Sequence, residues 1–257
     1  MASENSPFFF SRRRVPTAAY QLVCFPYAGG AALAYRTWEA KLAPNIEVCA
    51  VELPGRGRRL REPAHRRLHT LVPALTEAVA TVLDGRPFAF FGHSMGALLA
   101  FEVAHRLRRA GAELPRVLFL SARGMRGRDA PIHHLPQEQL IARLRHYGGT
   151  PTEVLESPEL MELVLPTVRA DFEIALGEGS DATEEPLPIP IEAMGGADDS
   201  HVPTSDLDAW AERTTSEFRS TVFPGGHFYQ REQEDALLHL LTSRLTRHAP
   251  QTTGSPR

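Results

Sequence analysis

The sequence predicts an α/β fold, a mostly parallel central sheet with helices on both faces, and three observations carry that expectation. Short runs rich in β-branched and aromatic residues recur along the chain, they are apolar at nearly every position, and stretches of helical spacing separate them. Strands apolar on both faces must be covered on both, as in a parallel sheet whose crossovers are helices. The strand-like runs are YQLVCFP (20–26), IEVCAVEL (46–53), PFAFFG (87–92), RVLFLSA (116–122), IPIEAMGG (189–196) and STVFPGG (220–226). Helical spacing marks Tyr35 to Leu42, Leu68 to Leu83, Ala97 to Arg109, Asp206 to Arg213 and Glu232 to Arg247.

One interval breaks this alternation. From Ser121 to Ile189 the chain is far longer than one crossover helix requires, so an insertion is expected. Within it, Pro136 to Tyr147 has helical spacing and stops at Gly148-Gly149. Ser157-Pro158 then reads as a cap followed by a first-turn proline, opening a helix that runs to a kink at Pro166. The ends, 1–17 and 248–257, read as disordered tails around a single domain of 18–247.

Composition narrows the function. The chain has 257 residues, 42% of them hydrophobic, enough to bury a substantial core. A net charge of −3 provides no bulk positive field for nucleic acid, and no apolar run approaches the roughly 20 residues of a membrane span. No signal-peptide pattern is present, so a cytoplasmic protein is expected, with neither nucleic acid nor membrane as partner. Cys24 and Cys49 sit in apolar strand runs and read as reduced packing residues. The histidines are scattered and His133-His134 are adjacent, facing apart, so no metal site and no cofactor are expected.

The chemistry is concentrated in FFGHSMGALLAFEVAH, Phe90 to His105. Gly-x-Ser-x-Gly between a strand and a helix is the nucleophile-elbow pattern: a sharp turn lifts the Ser94 hydroxyl above the sheet, and Gly92 and Gly96 stand where a Cβ would collide. The turn also puts the Met95 N–H at a helix N-terminus, where a donor without an intrahelical partner can hold an oxyanion. A serine needs an adjacent base, and the base an orienting carboxylate, in the chain order serine, acid, histidine. GGADDSHVP and PGGHFY follow the fifth and sixth strands and supply Asp198 or Asp199, and His227. Asp199 fits better, because Gly196, Asp199, Val202 and Pro203 match the Gly-x-x-Asp, Val-Pro spacing of such loops. His93 and His201 compete with His227, but His93 adjoins the nucleophile and suits a structural role. The second oxyanion donor is expected in FPYAGGAA, at the N–H of Ala28, with Tyr27 and Gly29 as alternatives.

Five stretches in order, FPYAGGAALAYRTW, VELPGRGRRLREP, FFGHSMGALLAFEVAHRL, HLPQEQLIARLRHYGGTPTEVLESPELMELVLPTVRADF and GGHFY, make the chain resemble the type II thioesterases of polyketide synthase and non-ribosomal peptide synthetase systems. The resemblance spans about residues 20 to 240. It implies an α/β-hydrolase with core 18–124 and 186–247 and an inserted helical lid over about 125–185. It also implies hydrolysis of acyl thioesters on the phosphopantetheine arm of acyl or peptidyl carrier proteins by a stand-alone, monomeric editing enzyme. A general carboxylesterase or lipase, or a silent binding protein, remains the alternative. RGRRLREPAHRR, Arg56 to Arg67, reads either as a docking surface for an acidic carrier or as a solvated loop paired with Glu52 and Glu62.

Overall fold

The computed structural model describes residues 6–9, 14–125, 132–177 and 185–247. Its strands are β1 (Tyr20–Phe25), β2 (Ile46–Ala50), β3 (Phe88–His93), β4 (Leu118–Ser121), β5 (Ile191–Gly196) and β6 (Phe218–Phe223). They form one sheet in the order β2-β1-β3-β4-β5-β6, and every neighbouring pair is parallel. The helices are α1 (Arg36–Leu42), α2 (Leu68–Val82), α3 (Met95–Arg109), α4 (Gln137–Tyr147), α5 (Thr152–Leu155), α6 (Pro158–Leu176), α7 (Tyr229–Glu232) and α8 (Glu234–Arg247).

The two-sided apolarity of the strands is satisfied by two separate cores. Val23 and Phe25 of β1, with Phe88 and Phe90 of β3, face the helices α2 and α3 through Leu71, Leu75, Val79, Leu99 and Val103. The alternate residues Leu22, Cys24, Ala89 and Phe91 face α1 and α8 through Trp38, Leu42, Leu237 and Leu241. Each fully buried Leu or Phe side chain contributes roughly 1.5–3 kcal/mol, so both layers are held by many such terms. Cys24 and Cys49 lie buried on opposite faces as free thiols.

One local expectation is corrected. The expected helix at 206–213 is a pair of 3-10 turns, Thr204–Asp206 and Asp208–Arg213, which carry Trp210 into the core beside Phe101. The expected helix at 232–247 is α8, which starts two residues later, and the short α7 precedes it. In the insertion, the helix opened by Ser157 continues through Pro166 to Leu176, and Val168, Phe172 and Ile174 beyond the proline are buried. Its start agrees with the sequence: the Ser157 hydroxyl accepts the Leu160 N–H at 3.2 Å, a cap of about 1 kcal/mol. Gly148 closes α4 in the left-handed conformation.

Between β4 and β5, helices α4 to α6 form a third cluster from Leu140, Leu144, Leu155, Met161, Leu165, Val168 and Phe172, against which Ala28 packs. Within 1–17, residues 6–9 lie against the fold rather than apart from it: Phe9 bridges Val51, and the Phe8 ring sits under the Arg59 guanidinium at 4.0 Å. The tail expected at 248–257 lies outside the described residues. Among the described residues no helix is long and apolar enough to cross a membrane.

Candidate active site

Because all six strands are parallel, the loops that leave their C-terminal ends gather along one edge, where open α/β sheets keep their sites. β3 turns directly into α3 at Ser94. Its backbone is at φ 54° and ψ −114°, a strained conformation for a residue with a Cβ. The glycines on either side are sterically required. A Cβ on Gly92 would strike the Gly96 carbonyl, and one on Gly96 would strike the carbonyls of Phe25 and Pro26. The Ser94 N–H is held by the Ser121 carbonyl at 2.8 Å, which ties the turn to β4.

The loops after β5 and β6 bring the other groups in. His227 Nδ1 lies 2.8 Å from Asp199 Oδ2. The second oxygen, Oδ1, accepts the N–H groups of His201 at 2.9 Å and Val202 at 3.1 Å. Both side chains are buried, whereas neighbouring Asp198 is exposed. Burial by itself would raise the Asp199 carboxyl, but the bond and charge of His227 and the two amide donors outweigh it and leave the group below its ordinary pKa. Asp199 is therefore an anion. Ser94 and His227 line one cavity with Tyr27, Ala28, Leu144, Tyr147, Gly149, Thr150, Phe172 and Phe228.

The competing histidines occupy other places. His93 is fully buried, its Nδ1 2.9 Å from the Ser121 hydroxyl, which lies 2.7 Å from the Tyr229 hydroxyl. Burial first, then the nearby His227 and Arg231, drive its pKa well down, so it stays neutral. His201 stacks on Tyr147 with ring centroids 3.9 Å apart. In the turn after β1, the Gly29 N–H is already committed to Asp171 Oδ2 at 2.7 Å, which removes it as an oxyanion donor. Ala28 lines the cavity, and among the described residues its N–H has no acceptor.

The thioesterase domain model matches residues 20–245. The chain belongs to the thioesterase family. Gramicidin S biosynthesis protein GrsT of Aneurinibacillus migulanus is 37% identical over 251 residues, spanning 95% of each chain. Thioesterase PikA5 of Streptomyces venezuelae is 32% identical across 94% of this chain and 85% of its own. The type II thioesterase BorB from the borrelidin biosynthetic cluster has a TM-score of 0.84 at 36% identity, covering 96% of this chain and all of BorB. The fold is thus that of an α/β-hydrolase and the activity that of a thioester hydrolase.

The arginine-rich stretch of this thioesterase is largely engaged in ion pairs within the chain, mostly with the distant helix α6. Arg56 is buried on Asp171, Arg59 forks onto Glu62, and Arg66 and Arg67 face Glu173. Glu52, expected to pair with an arginine side chain, instead accepts the Ala32 N–H at 2.8 Å, while its backbone carbonyl takes Arg59. Sequence reasoning missed the cavity wall contributed by Leu144, Tyr147 and Phe172, and also Arg231. Arg231 donates to the Gly148 and Gly149 carbonyls at 3.1 and 2.7 Å and lies over the Phe228 ring. The apolar periodicity of the insertion marked these residues only as helix faces. Among the described residues no group of three potential metal ligands occurs.

Proposed function

We propose that the chain is a serine thioesterase that frees acyl groups from the phosphopantetheine arm of acyl or peptidyl carrier proteins, as a stand-alone editor of a polyketide or peptide assembly line. The observation that carries the chemistry is the 2.8 Å bond of His227 Nδ1 to Asp199 beside a cavity shared with Ser94. With Nδ1–H donating its hydrogen bond to the Asp199 carboxylate and keeping its proton, Nε2 keeps a lone pair and takes the Ser94 proton as the oxygen attacks the thioester carbonyl. The developing oxyanion is received by the N–H groups of Met95 and Ala28. Collapse expels the pantetheine thiol, and the acyl-serine is then hydrolysed by water that His227 activates. A thiol of pKa about 8.5 leaves far more readily than an amine, so deacylation limits turnover. Every group in this cycle belongs to the chain, the substrate or water, and no cofactor is drawn in.

The carrier-directed reading is supported by GrsT and BorB, each matched over nearly its whole length and each named for a biosynthetic system. The deciding experiment is hydrolysis of a panel of acyl-loaded carrier proteins and simple esters by the wild type and by Ser94→Ala. Thioester turnover on carriers, a burst equal to the active-site concentration, and silence in Ser94→Ala are expected. Faster turnover of simple esters than of loaded carriers would replace this reading with a general esterase, and activity in Ser94→Ala would remove the serine mechanism.

A further inference from the structure

One buried charge pair stands where three distant segments meet. Arg56 follows β2, Asp171 lies on α6, and the turn after β1 runs between them. The Arg56 guanidinium forks onto the carboxylate, Nη1 to Oδ2 and Nη2 to Oδ1, both at 2.7 Å. The same Oδ2 accepts the Gly29 N–H at 2.7 Å, and the same Nη1 donates to the Gly30 carbonyl at 3.0 Å. Arg56 Nε and Nη2 also reach the Pro54 carbonyl at 3.4 Å. The two side chains are 7% and 2% exposed.

Stability alone is a weak reason for such a pair, since apolar residues of like volume often serve as well or better. What an apolar pair lacks is direction. Here the two ions hold consecutive residues of one turn, the carboxylate accepting from Gly29 and the guanidinium donating to Gly30. Gly29, at φ 73°, sends its N–H to Asp171, and the Gly30 N–H closes on the Tyr27 carbonyl at 2.8 Å. With those two amides occupied, Ala28 beside Ser94 keeps the uncommitted N–H.

We infer that Arg56 and Asp171 are positioning residues that set the second oxyanion donor, through a lid-region helix and a loop that never touch the substrate carbonyl. This rests on the reading that the Ala28 N–H binds the oxyanion. A carboxylate on α6 thereby couples the inserted helices to the transition-state site. Breaking the fork leaves the ground-state complex intact and loosens the turn when charge develops on the oxygen.

The test uses the full chain with Asp171→Asn and Arg56→Lys, whose ammonium cannot fork. Turnover of a short acyl-N-acetylcysteamine thioester is read as kcat and KM separately. Affinity is measured for a trifluoromethyl ketone, which forms a tetrahedral adduct on the serine, and for an inert thioether analogue. A lost oxyanion donor typically costs ~10²–10³ in kcat, so a loosened one is expected to cost ~10–100-fold. The ketone should weaken by the same factor, with KM and thioether affinity within about 2-fold. Folded variants with unchanged kcat and ketone affinity would reduce the pair to a structural role, as would equal losses for ketone and thioether. If Asp171→Asn does not fold, Arg56→Lys is judged on the same terms. An ester in place of the Tyr27–Ala28 amide deletes the Ala28 N–H and also weakens the Tyr27 carbonyl that accepts the Gly30 N–H. Unchanged ketone affinity there overturns the Ala28 reading itself, while a loss there with none in the side-chain variants overturns only the positioning role.

Discussion

Replacing Asp199 by asparagine changes one atom and, from the geometry of this loop, inverts the imidazole. Oδ1 of Asp199 accepts two backbone amides, from His201 at 2.9 Å and Val202 at 3.1 Å. An asparagine must keep its oxygen there, so its NH₂ group faces His227 Nδ1. That nitrogen then has to accept, the proton moves to Nε2, and the base that Ser94 needs is gone. The alternative, turning the amide over, leaves two partly buried N–H groups without acceptors at up to about 1–3 kcal/mol each, so up to about 2–6 kcal/mol in total. Triad asparagines of this kind lower kcat by ~10⁴, which corresponds to about 5.4 kcal/mol at 1.36 kcal/mol per decade. The flip cost is of similar size, so rescue by the turned-over amide is limited and a loss of ~10³–10⁴ is expected. The assay is thiol release from an acyl-N-acetylcysteamine thioester near neutral pH, with circular dichroism to confirm folding. Asp198→Asn, at the exposed neighbouring position, is the control and should stay within about 2-fold of wild type. An Asp199→Asn enzyme within ~10-fold of wild type, or an equal loss in Asp198→Asn, would refute the reasoning.

Gly96→Ala puts a Cβ into the Phe25 and Pro26 carbonyls, so α3 must move off β1. Activity should vanish and urea unfolding should show a loss of about 1–3 kcal/mol or more, and wild-type behaviour in both would show that the elbow has slack. His105, buried against Phe101, is pushed down to about 4 by burial and then by Arg109, Arg108 and Arg213. Its folded value lies below the unfolded value of about 6.5, so between those pH values the unfolded chain binds more protons and stability falls as pH falls. His105→Gln should flatten the decline of Tm between pH 7 and pH 4.5, and parallel curves for the two proteins would exclude His105 as its source.

The elbow was legible because its signal is local. Two glycines bracket a serine at a strand-to-helix junction, and the steric need for them is set within five residues. The strand order of partners was legible for the same reason: each sits in a short loop after an apolar run. Asp199 against Asp198 was less so. Adjacent carboxylates in a turn differ only in which one the backbone turns inward, and here the amides of His201 and Val202 decide it. Gly29 against Ala28 depended on a residue 142 positions away. The Asp206–Arg213 stretch has helical spacing but settles into 3-10 turns, since seating Trp210 in the core outweighs a weak local preference.

By itself, the sequence determined the alternation of two-sided strands and helices, and hence a parallel sheet, because side-chain period and apolarity are properties of neighbouring residues. It likewise placed Ser94, Asp199 and His227 in the loops that leave that sheet. Only the tertiary structure decided which wall closes the cavity, that Arg56 serves Asp171 rather than solvent, and that the Gly29 amide of the Gly-rich turn is engaged by Asp171. Those outcomes depend on segments more than a hundred residues apart meeting at van der Waals distance, and no local pattern encodes such a meeting.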